Sequence, residues 1–369
     1  MTGRKLRLLL CHPGASWSTA DVFWGLLHGL KYHDVEVVPY RLDLRFEAAK
    51  SSLHWEWRTK KKHDPSLAAS PPNAADLSYA ASIGVLEMAF RHHVDVVLVV
   101  SGMLLHPDVL LMLKEGGRRV VILFTESPYD HAAEMRVAKI VDGGWTNERC
   151  VVAEFRKVNP HFGYLPHAWN PLVHRTDLPI DTSVPAHDVV FVGTAFQERV
   201  RWFNSINWSG IDLGLYGGWQ KARLNQQVKQ CVRDGPIDNE RAVLLYRRAK
   251  IGLNLYRTSQ GWGPNAPQIA HAESMNPRAY EYAACGTFFL SDYRSESAEV
   301  FGEIAPMFRS PIEAAGLMRR WLADDAGRAR LAAALPARVA EASWIHRAAT
   351  VLGDLQQLLL GAVPTARSA

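Results

Sequence analysis

Short apolar runs alternate with longer amphipathic segments along the first half of the chain. The apolar runs predict β-strands over residues 6–11, 35–40, 95–101 and 119–125. The segments between them repeat apolar residues at helical spacing, which predicts helices over 19–32, 76–92 and 107–114. The runs at 96–100 and 120–124 are apolar on both faces, which is typical of a parallel sheet covered by helices on each side.

The same alternation restarts in the second half, after a break at Pro166 and a polar segment that reaches Pro185. Strands are predicted over 188–192, 212–216, 250–255 and 287–290, with helices over 197–206 and 239–249. We expect an α/β chain with Rossmann-like domains over 1–170 and 171–343, and a helix and tail over 344–369 that pack back toward the N-terminal domain. The carboxyl ends of the strands, where ligands of such sheets bind, would point into a cleft between the domains.

Composition narrows the class of protein. The chain has 369 residues, 48% hydrophobic and 21% charged, and a formal net charge of +5, which is typical of a globular protein. Its four cysteines lie far apart, so neither a disulfide framework nor a zinc site is indicated. No apolar stretch reaches the eighteen residues of a membrane span. We expect a cytoplasmic protein with no bound metal.

The most informative segment is a short helix predicted to begin at Pro277. Asn276 is a good N-cap, and Gly286 is a good helix stop. Arg278 and Glu281 are three residues apart and share a face of this helix. The helix start and Arg278 would attract a diphosphate, while the Glu281 carboxylate could bridge two ribose hydroxyls. These features together predict a nucleotide site; the alternative is a surface ion pair between Arg278 and Glu281.

Other residues predicted to contact the phosphates follow buried strands. Gly193 and Thr194 come directly after the strand at 188–192, and Arg199 lies five residues further on. A tight turn and a helix-surface arginine are the alternatives. Gly14 follows the first strand and could let the backbone approach phosphates. Its surroundings do not form the G-x-G-x-x-G fingerprint of dinucleotide-binding domains.

Several segments in sequence order carry a family resemblance. They are residues 188–194 with Arg199, 215–217, 235–237 before Glu240 and Tyr246, 249–254, and 276–281. The chain resembles glycosyltransferases of GT-B architecture, and more closely their CgeB/YkvP-like (spore-maturation-type) branch. Looser matches at 95–102 and 124–130 extend the resemblance to about residues 90–350.

The resemblance implies that the C-terminal domain binds a nucleoside-diphosphate sugar, with UDP as the expected nucleotide, and that the N-terminal domain binds the acceptor. It adds Tyr216, Gly217 and Ile237 to the donor site. Glu273 and Glu281 have the E-x7-E spacing of many retaining relatives, in which the first glutamate lies near the transferred sugar. The closest branch often lacks that first glutamate, so an ordinary loop carboxylate is the alternative for Glu273.

The expected chemistry needs few residues. Cleavage of the anomeric C–O bond leaves charge on phosphate oxygens, which a helix start, Arg278 and Arg199 could stabilise without a metal or cofactor. With retention of configuration, the leaving phosphate can itself accept the acceptor's proton. With inversion, a base from the N-terminal domain would be required. The candidates are Asp130, His131, His106 and His12.

A basic run with two tryptophans is the second informative feature. It comprises Trp55, Trp57, Arg58, Lys60, Lys61 and Lys62. Such residues can stack bases and neutralise phosphates, so we assign them to acceptor binding. The segment precedes prolines and is expected to be an exposed loop or a loose helix. The alternative is a solvated charged loop with tryptophans packed beneath it.

We therefore expect a retaining, metal-independent glycosyltransferase, a hexosyl- or pentosyltransferase, that uses a nucleotide-sugar donor. Hydroxymethylated pyrimidines in DNA are the favoured acceptor. A cell-surface glycan, a protein or a small metabolite is the alternative acceptor. A non-catalytic protein that binds nucleotide sugars or nucleic acid is the alternative outside the enzyme class. The sequence does not indicate an oligomeric state.

Overall fold

A computed structural model describes residues 5–14, 18–66, 70–261 and 266–361. The chain divides into two compact units. Unit 1 consists of Met1–Leu165 and Ile345–Ala369, and unit 2 consists of Pro166–Trp344. None of the helices within the described ranges is long and apolar enough to cross a membrane.

Unit 1 contains a parallel sheet of six strands. They are β1 (Arg7–Cys11), β2 (Glu36–Tyr40), β3 (Val96–Val100), β4 (Arg119–Phe124), β5 (Gly143–Thr146) and β6 (Phe162–Tyr164). The order across the sheet is β2-β1-β3-β4-β5-β6. All five residues of β3 are buried, as expected for a strand covered on both faces.

Helices connect these strands. They are α1 (Ser18–Tyr32), α2 (Leu42–His63), α3 (Ala74–Ser82), α4 (Gly84–Arg91), α5 (Pro107–Glu115), α6 (His131–Ala138) and α7 (Val152–Val158). The segment predicted as one helix over 76–92 is two helices, α3 and α4. The basic run lies in the last turns of the continuous helix α2, so of the two expected forms, an exposed loop or a loose helix, the structure shows a helix.

Unit 2 contains a second parallel sheet, of five strands. They are β7 (Val189–Val192), β8 (Leu213–Tyr216), β9 (Ile251–Asn254), β10 (Phe289–Asp292) and β11 (Met307–Phe308), in the order β11-β10-β9-β7-β8. The helices are α8 (Gln197–Asn204), α9 (Gln226–Cys231), α10 (Asn239–Arg248), α11 (Pro277–Ala284), α12 (Ser295–Phe301), α13 (Pro311–Leu322) and α14 (Asp325–Arg338).

The last helix, α15 (Trp344–Leu359), belongs with unit 1 for all but its first residue. In unit 1, the Trp145 indole Nε1 donates a hydrogen bond of 2.8 Å to the Asp354 carboxylate. This contact joins α15 to β5, whose short Gly-Gly-Trp-Thr sequence gave no strand signal. Gly144 is required there, because an added Cβ would lie 2.2 Å from the Ile122 carbonyl oxygen of β4. The two parallel sheets confirm the predicted α/β class.

Candidate functional site

The carboxyl ends of three neighbouring strands of unit 2 form one edge of its sheet. Gly193 follows β7, Gly217 follows β8, and Asn254 ends β9. The start of α11 lies at the same edge, because a hydrogen bond joins its N-cap, Asn276, to Asn254. Ligands of open α/β sheets bind at this edge. We refer to these segments as the unit 2 edge.

Asn276 fixes the start of α11. Its side-chain oxygen accepts a hydrogen bond from the Ala279 N–H at 3.2 Å, and its Nδ2 donates to Asn254 Oδ1 at 2.8 Å. Asn254 is fully buried and in turn donates to the Ser291 hydroxyl of β10 at 3.0 Å. The helix start is therefore held by a chain of amide and hydroxyl groups that crosses two strands.

The same cap limits the free donors at the helix start. Pro277 has no N–H, and the Ala279 N–H is bound by Asn276. The Arg278 amide is the remaining donor of the first three helical positions. An anion at the start of α11 must therefore depend more on the Arg278 side chain than on the backbone N–H groups of the helix.

The Arg278 guanidinium lies beside Gly193. An added Cβ on Gly193 would be 2.8 Å from Arg278 Nη2, and the guanidinium carbon is 5.1 Å from the centre of the Phe191 ring. The Arg278 Nε is buried and forms no hydrogen bond. Leaving such a group without a partner is costly, so this cation is well placed for an anionic ligand.

Arg199 lies at the same edge with a different set of contacts. It is 7% exposed, and it donates to the carbonyl oxygens of Thr194 at 3.1 Å and Leu255 at 2.7 Å. Its guanidinium carbon is 5.3 Å from the Phe191 ring centre, so this ring contacts both arginines. These bonds join the segments after β7 and β9, which makes Arg199 a positioning residue for Thr194, whose side chain is exposed.

Gly217 approaches Gly193 very closely. Its φ is +111°, and an added Cβ would lie 2.5 Å from the Gly193 carbonyl oxygen. The Tyr216 ring is buried and its hydroxyl bonds His187 Nε2 at 3.0 Å, so it is the backbone of Tyr216 that joins the edge. Trp219 Nε1 donates to the carbonyls of Gly193 and Tyr216 at 2.8 and 3.1 Å. These contacts lock the two strand ends together.

Glu281 is buried in the second turn of α11 and is only 7% exposed. Its Oε2 accepts one long hydrogen bond, 3.4 Å, from the Tyr246 hydroxyl. The structure contains no ion pair between Arg278 and Glu281, both of which are described, so the surface ion-pair alternative does not apply. A carboxylate can accept about four hydrogen bonds, so Glu281 retains acceptor capacity for hydroxyl groups.

A buried histidine, His174, interacts electrostatically with the Glu281 carboxylate. His174 is 2% exposed, and its Nδ1 accepts a hydrogen bond of 3.0 Å from the Asn170 N–H. Its neutral ring therefore carries the proton on Nε2, which is buried without a hydrogen-bond partner. Burial lowers the pKa of His174, and the Glu281 charge opposes that shift.

The remaining donor-site residues lie around this edge. Glu273 is half-buried and pairs with His271 Nε2 at 2.9 Å. Ile237 packs partly buried against the core cluster that includes Tyr246 and Tyr282. Of the loop 261–265 that follows β9, residues 262–265 lie outside the described residues.

In unit 1, Gly14 and His12 follow β1. Gly14 has a φ of +90°, and its N–H donates to His12 Nδ1 at 3.1 Å. The neutral His12 ring therefore carries its proton on Nε2 and is a donor there, which does not suit a general base. Burial lowers the pKa of His12, although Asp43, 3.6 Å away, opposes this. His106 has the same tautomer, because its Nδ1 accepts from the Asp108 N–H at 3.4 Å.

Asp130 lies half-buried at the N-terminus of α6, although its side chain does not cap the helix. His131 pairs with Glu154 at 2.9 Å. Glu134, which the sequence did not indicate, accepts hydrogen bonds from the Glu126 N–H at 3.1 Å and from the Ser127 hydroxyl. Burial raises the pKa of Glu134 to about 8, so it is largely protonated at neutral pH.

The predicted acceptor residues divide between two faces of α2. Trp57, Lys60 and Lys61 share one face: Lys61 Nζ is 5.0 Å from the Trp57 ring centre, and Lys60 pairs with Glu56 at 2.5 Å. Helical spacing places the exposed Trp55, Arg58 and Lys62 together on the other face. The run therefore does not form one basic surface with both tryptophans.

No group of three or more histidine, cysteine, aspartate or glutamate side chains in the described ranges could hold a metal ion. The four cysteines are free thiols.

Comparison with known proteins identifies the architecture as GT-B. Sucrose-phosphate synthase from Thermosynechococcus elongatus superposes with a TM-score of 0.63 at 14% identity, covering 97% of this chain and 100% of that chain. A glycosyltransferase from Rickettsia africae gives 0.60 at 10% identity, with 97% and 99% coverage. Anabaena HepE, solved in complex with UDP, gives 0.57 at 11% identity, with 95% and 100% coverage.

A sequence-family comparison points the same way. Residues 197–353, less than half of the chain, match the family described as glycosyl transferase-like. No curated protein matches the sequence. The predicted GT-B fold is confirmed, and the family match together with the structural neighbours supports a glycosyltransferase.

Sequence reasoning missed several residues of the unit 2 edge. Asn254, Ser291 and Trp219 connect the strand ends, and Phe191 contacts both arginines. Asn254 could have been found from the sequence, because an amide at the end of an otherwise apolar buried strand needs a polar partner.

Proposed function

We propose that this protein transfers a sugar from a nucleoside-diphosphate sugar, with UDP as the first choice, to a hydroxyl acceptor. The observation that carries the proposal is the Arg278 guanidinium beside Gly193, with its buried Nε lacking a partner. A diphosphate at the start of α11 would receive the Arg278 amide and guanidinium together. Charge-assisted bonds of this kind are about twice as strong as neutral ones.

The ribose would bind at Glu281. Its carboxylate is fixed by burial and by Tyr246, yet retains free acceptor sites for two hydroxyl groups. Because Arg278 and Glu281 lie on one helix, phosphate and sugar contacts would be made by a single rigid element. The CgeB/YkvP-like branch, in which the same helix is found, remains our proposal for the nearer relatives.

For the reaction, we propose retention of configuration without a metal. Departure of the nucleoside diphosphate places charge on phosphate oxygens, and Arg278 can stabilise it directly. The neutral rings of His12 and His106 carry their proton on Nε2, and His131, whose Nε2 pairs with Glu154, has a buried Nδ1. None of the three therefore presents an accessible, unprotonated ring nitrogen to an acceptor hydroxyl, which favours proton transfer to the leaving phosphate. Glu273 would lie near the transferred sugar, and Asp130 would act on the acceptor side.

The arrangement of α2 bears on the choice of acceptor. Modified DNA bases were the favoured acceptor from the sequence, but the basic run is divided between two helix faces and two of its lysines contact neighbours on α2. These contacts weaken the case for DNA and favour the alternative acceptor, which is a cell-surface glycan, a protein or a small metabolite.

Calorimetry with UDP, followed by an assay for sugar release from UDP-sugars, tests the donor proposal. We expect UDP to bind, and UDP-glucose or a related donor to be hydrolysed slowly without an acceptor. Binding without any turnover would favour the non-catalytic alternative. If no nucleoside diphosphate binds, the proposed function is wrong.

A further inference from the structure

Unit 1 contains a cavity of about 620 Å³ between α2, α3 and the start of α5. The α2 residues that line the cavity, Leu53 to Lys60, lie in the second half of that helix. His106 and Asp108 lie at the start of α5, which follows β3, so this wall of the cavity is toward the carboxyl end of β3. That is the ligand-binding side of a parallel sheet. Its volume falls within the range of about 300–1,000 Å³ typical of small-molecule sites.

The walls of the cavity are held by hydrogen bonds of their own. The Ser78 hydroxyl of α3 donates to the Leu104 carbonyl at 2.9 Å, and the His106 N–H donates to the Ser82 hydroxyl at 3.0 Å. Asn73 and Asp76 form a reciprocal capping box at the start of α3. These bonds fix the α3 wall of the cavity against the start of α5 without a ligand.

Aromatic rings from both helices line the cavity. Trp57 comes from α2 and Tyr79 from α3, and Tyr79 is 39% exposed. Tyr79 packs edge-on against His106, with ring centres 5.3 Å apart. Large aromatic faces left open to solvent mark binding surfaces, and their flat apolar faces suit the C–H faces of sugar rings.

The carboxylates that line the cavity outnumber its lysine, although the Lys61 ammonium lies 5.0 Å from the centre of the Trp57 ring. The lining therefore disfavours an anionic ligand. Glu56, Asp76 and Asp108 contribute three carboxylates, whereas Lys60 is the one lysine or arginine among the lining residues that the structure describes, and it pairs with Glu56. Carboxylates repel phosphates but accept hydrogen bonds from hydroxyl groups. The protonated Nε2 of His106 adds a donor.

We propose that this cavity binds an uncharged carbohydrate and that this carbohydrate is the acceptor. Binding of the carbohydrate to the cavity does not depend on the donor site. The role of that carbohydrate as the acceptor rests on the proposed function. Single-stranded nucleic acid, the other ligand that aromatic residues could stack, would place its phosphates against three carboxylates.

The test is calorimetry of the full chain with three uncharged trisaccharides: maltotriose, cellotriose and N,N′,N″-triacetylchitotriose. Trigalacturonic acid and a twelve-residue oligothymidylate at low salt serve as anionic probes. We expect at least one uncharged trisaccharide to bind, and both anionic probes to bind at least tenfold more weakly. If no uncharged probe binds at 20 mM, or if an anionic probe binds more tightly, the proposal is wrong.

Trp57→Leu and Tyr79→Ala should each weaken trisaccharide binding at least tenfold, because each removes an aromatic face. Trp55→Leu is the matched control for Trp57→Leu. The sequence assigned Trp55 to acceptor binding, but it is 65% exposed on the same helix and does not line the cavity, so it is not part of the proposed site. Trp55→Leu should change the affinity less than twofold. Equal losses for Trp55→Leu and Trp57→Leu would contradict the proposal. Trp57→Leu keeps an apolar side chain at the site, and thermal melts establish that each variant is folded.

UDP is titrated into the same samples. A trisaccharide that binds while UDP does not would support the cavity and overturn the donor site. UDP binding without trisaccharide binding would overturn the cavity alone.

Discussion

The unit 2 edge and the unit 1 cavity differ in the kind of side chain that forms them and in how exposed those side chains are. At the edge, buried polar groups and close glycine contacts join three strand ends to α11, and one cation and one carboxylate keep unused bonding capacity. The cavity is open, its aromatic residues are partly exposed, and its walls are joined by a few side-chain bonds. A rigid polar edge suits a ligand with fixed charges, whereas an open aromatic cavity suits a variable hydroxylated one.

The largest expected effect is on ligand binding at the unit 2 edge. Arg278→Ala should weaken UDP binding at least a hundredfold, about 2.7 kcal/mol, because it removes the charge at the diphosphate. Calorimetry measures this, with the exposed Arg201→Ala of α8 as control. The unliganded variant should be about as stable as the parent, since the substitution removes a buried Nε that has no hydrogen-bond partner together with one contact to the Phe191 ring. A stability loss with unchanged UDP affinity would show that Arg278 is structural.

Gly217→Ala should lower the free energy of unfolding by about 2 kcal/mol more than Gly218→Ala does. Both glycines have positive φ, which alone costs about 1–2 kcal/mol for alanine. Only at Gly217 would the new Cβ meet backbone, 2.5 Å from the Gly193 oxygen, whereas the Gly218 Cβ would meet nothing within 4 Å. Denaturant titration gives both values. Equal losses would mean that the two strand ends are not locked as described.

Glu281→Ala should weaken UDP binding at least tenfold, about 1.4 kcal/mol, through loss of the ribose contact. Uridine separates this role from that of Arg278: its binding should fall in Glu281→Ala and stay unchanged in Arg278→Ala. Glu341→Gln, an exposed glutamate of unit 2, is the control. An unchanged affinity for both ligands would remove Glu281 from the site.

His174 should make the stability of unit 2 depend on pH. Burial lowers its folded-state pKa below the unfolded value. Its contribution is therefore complete above the unfolded pKa of about 6.5 and is lost as the pH falls through the folded-state pKa. His174→Phe should flatten the decrease in stability between pH 7 and pH 5, measured by urea unfolding. The same slope in both proteins would assign the pH dependence to other groups.

The smallest effect is expected beside the cavity. Lys60→Ala removes an exposed pair with Glu56 on α2, worth about 0.2–0.5 kcal/mol of stability. Thermal unfolding should therefore hardly change, in contrast to Gly217→Ala. A loss above about 1 kcal/mol would show that the cavity wall is as tightly coupled as the unit 2 edge.

This contrast explains what the sequence could predict. The start of α11 was predictable because an N-cap, a proline and a following glycine act within one short segment. The strands were predictable from runs such as β3, which is buried throughout. β5 was not, because Gly143 and Gly144 are selected by contact with β4 and His161 rather than by strand propensity.

The cavity could not be predicted, because it arises where α2 packs on α3. Trp57 and Tyr79 are 22 positions apart, and no local pattern relates them. Trp55 and Trp57 looked equivalent in the sequence until α2 proved to be a continuous helix, which separates residues two positions apart onto different faces.

A crystal structure of the complex with UDP tests the central claim most directly. The account predicts diphosphate oxygens within about 2.7–3.2 Å of the Arg278 guanidinium and amide, next to Gly193, and both ribose hydroxyls on the Glu281 carboxylate. A diphosphate bound elsewhere, with Arg278 Nε still buried against Phe191 and no ligand on Glu281, would contradict it.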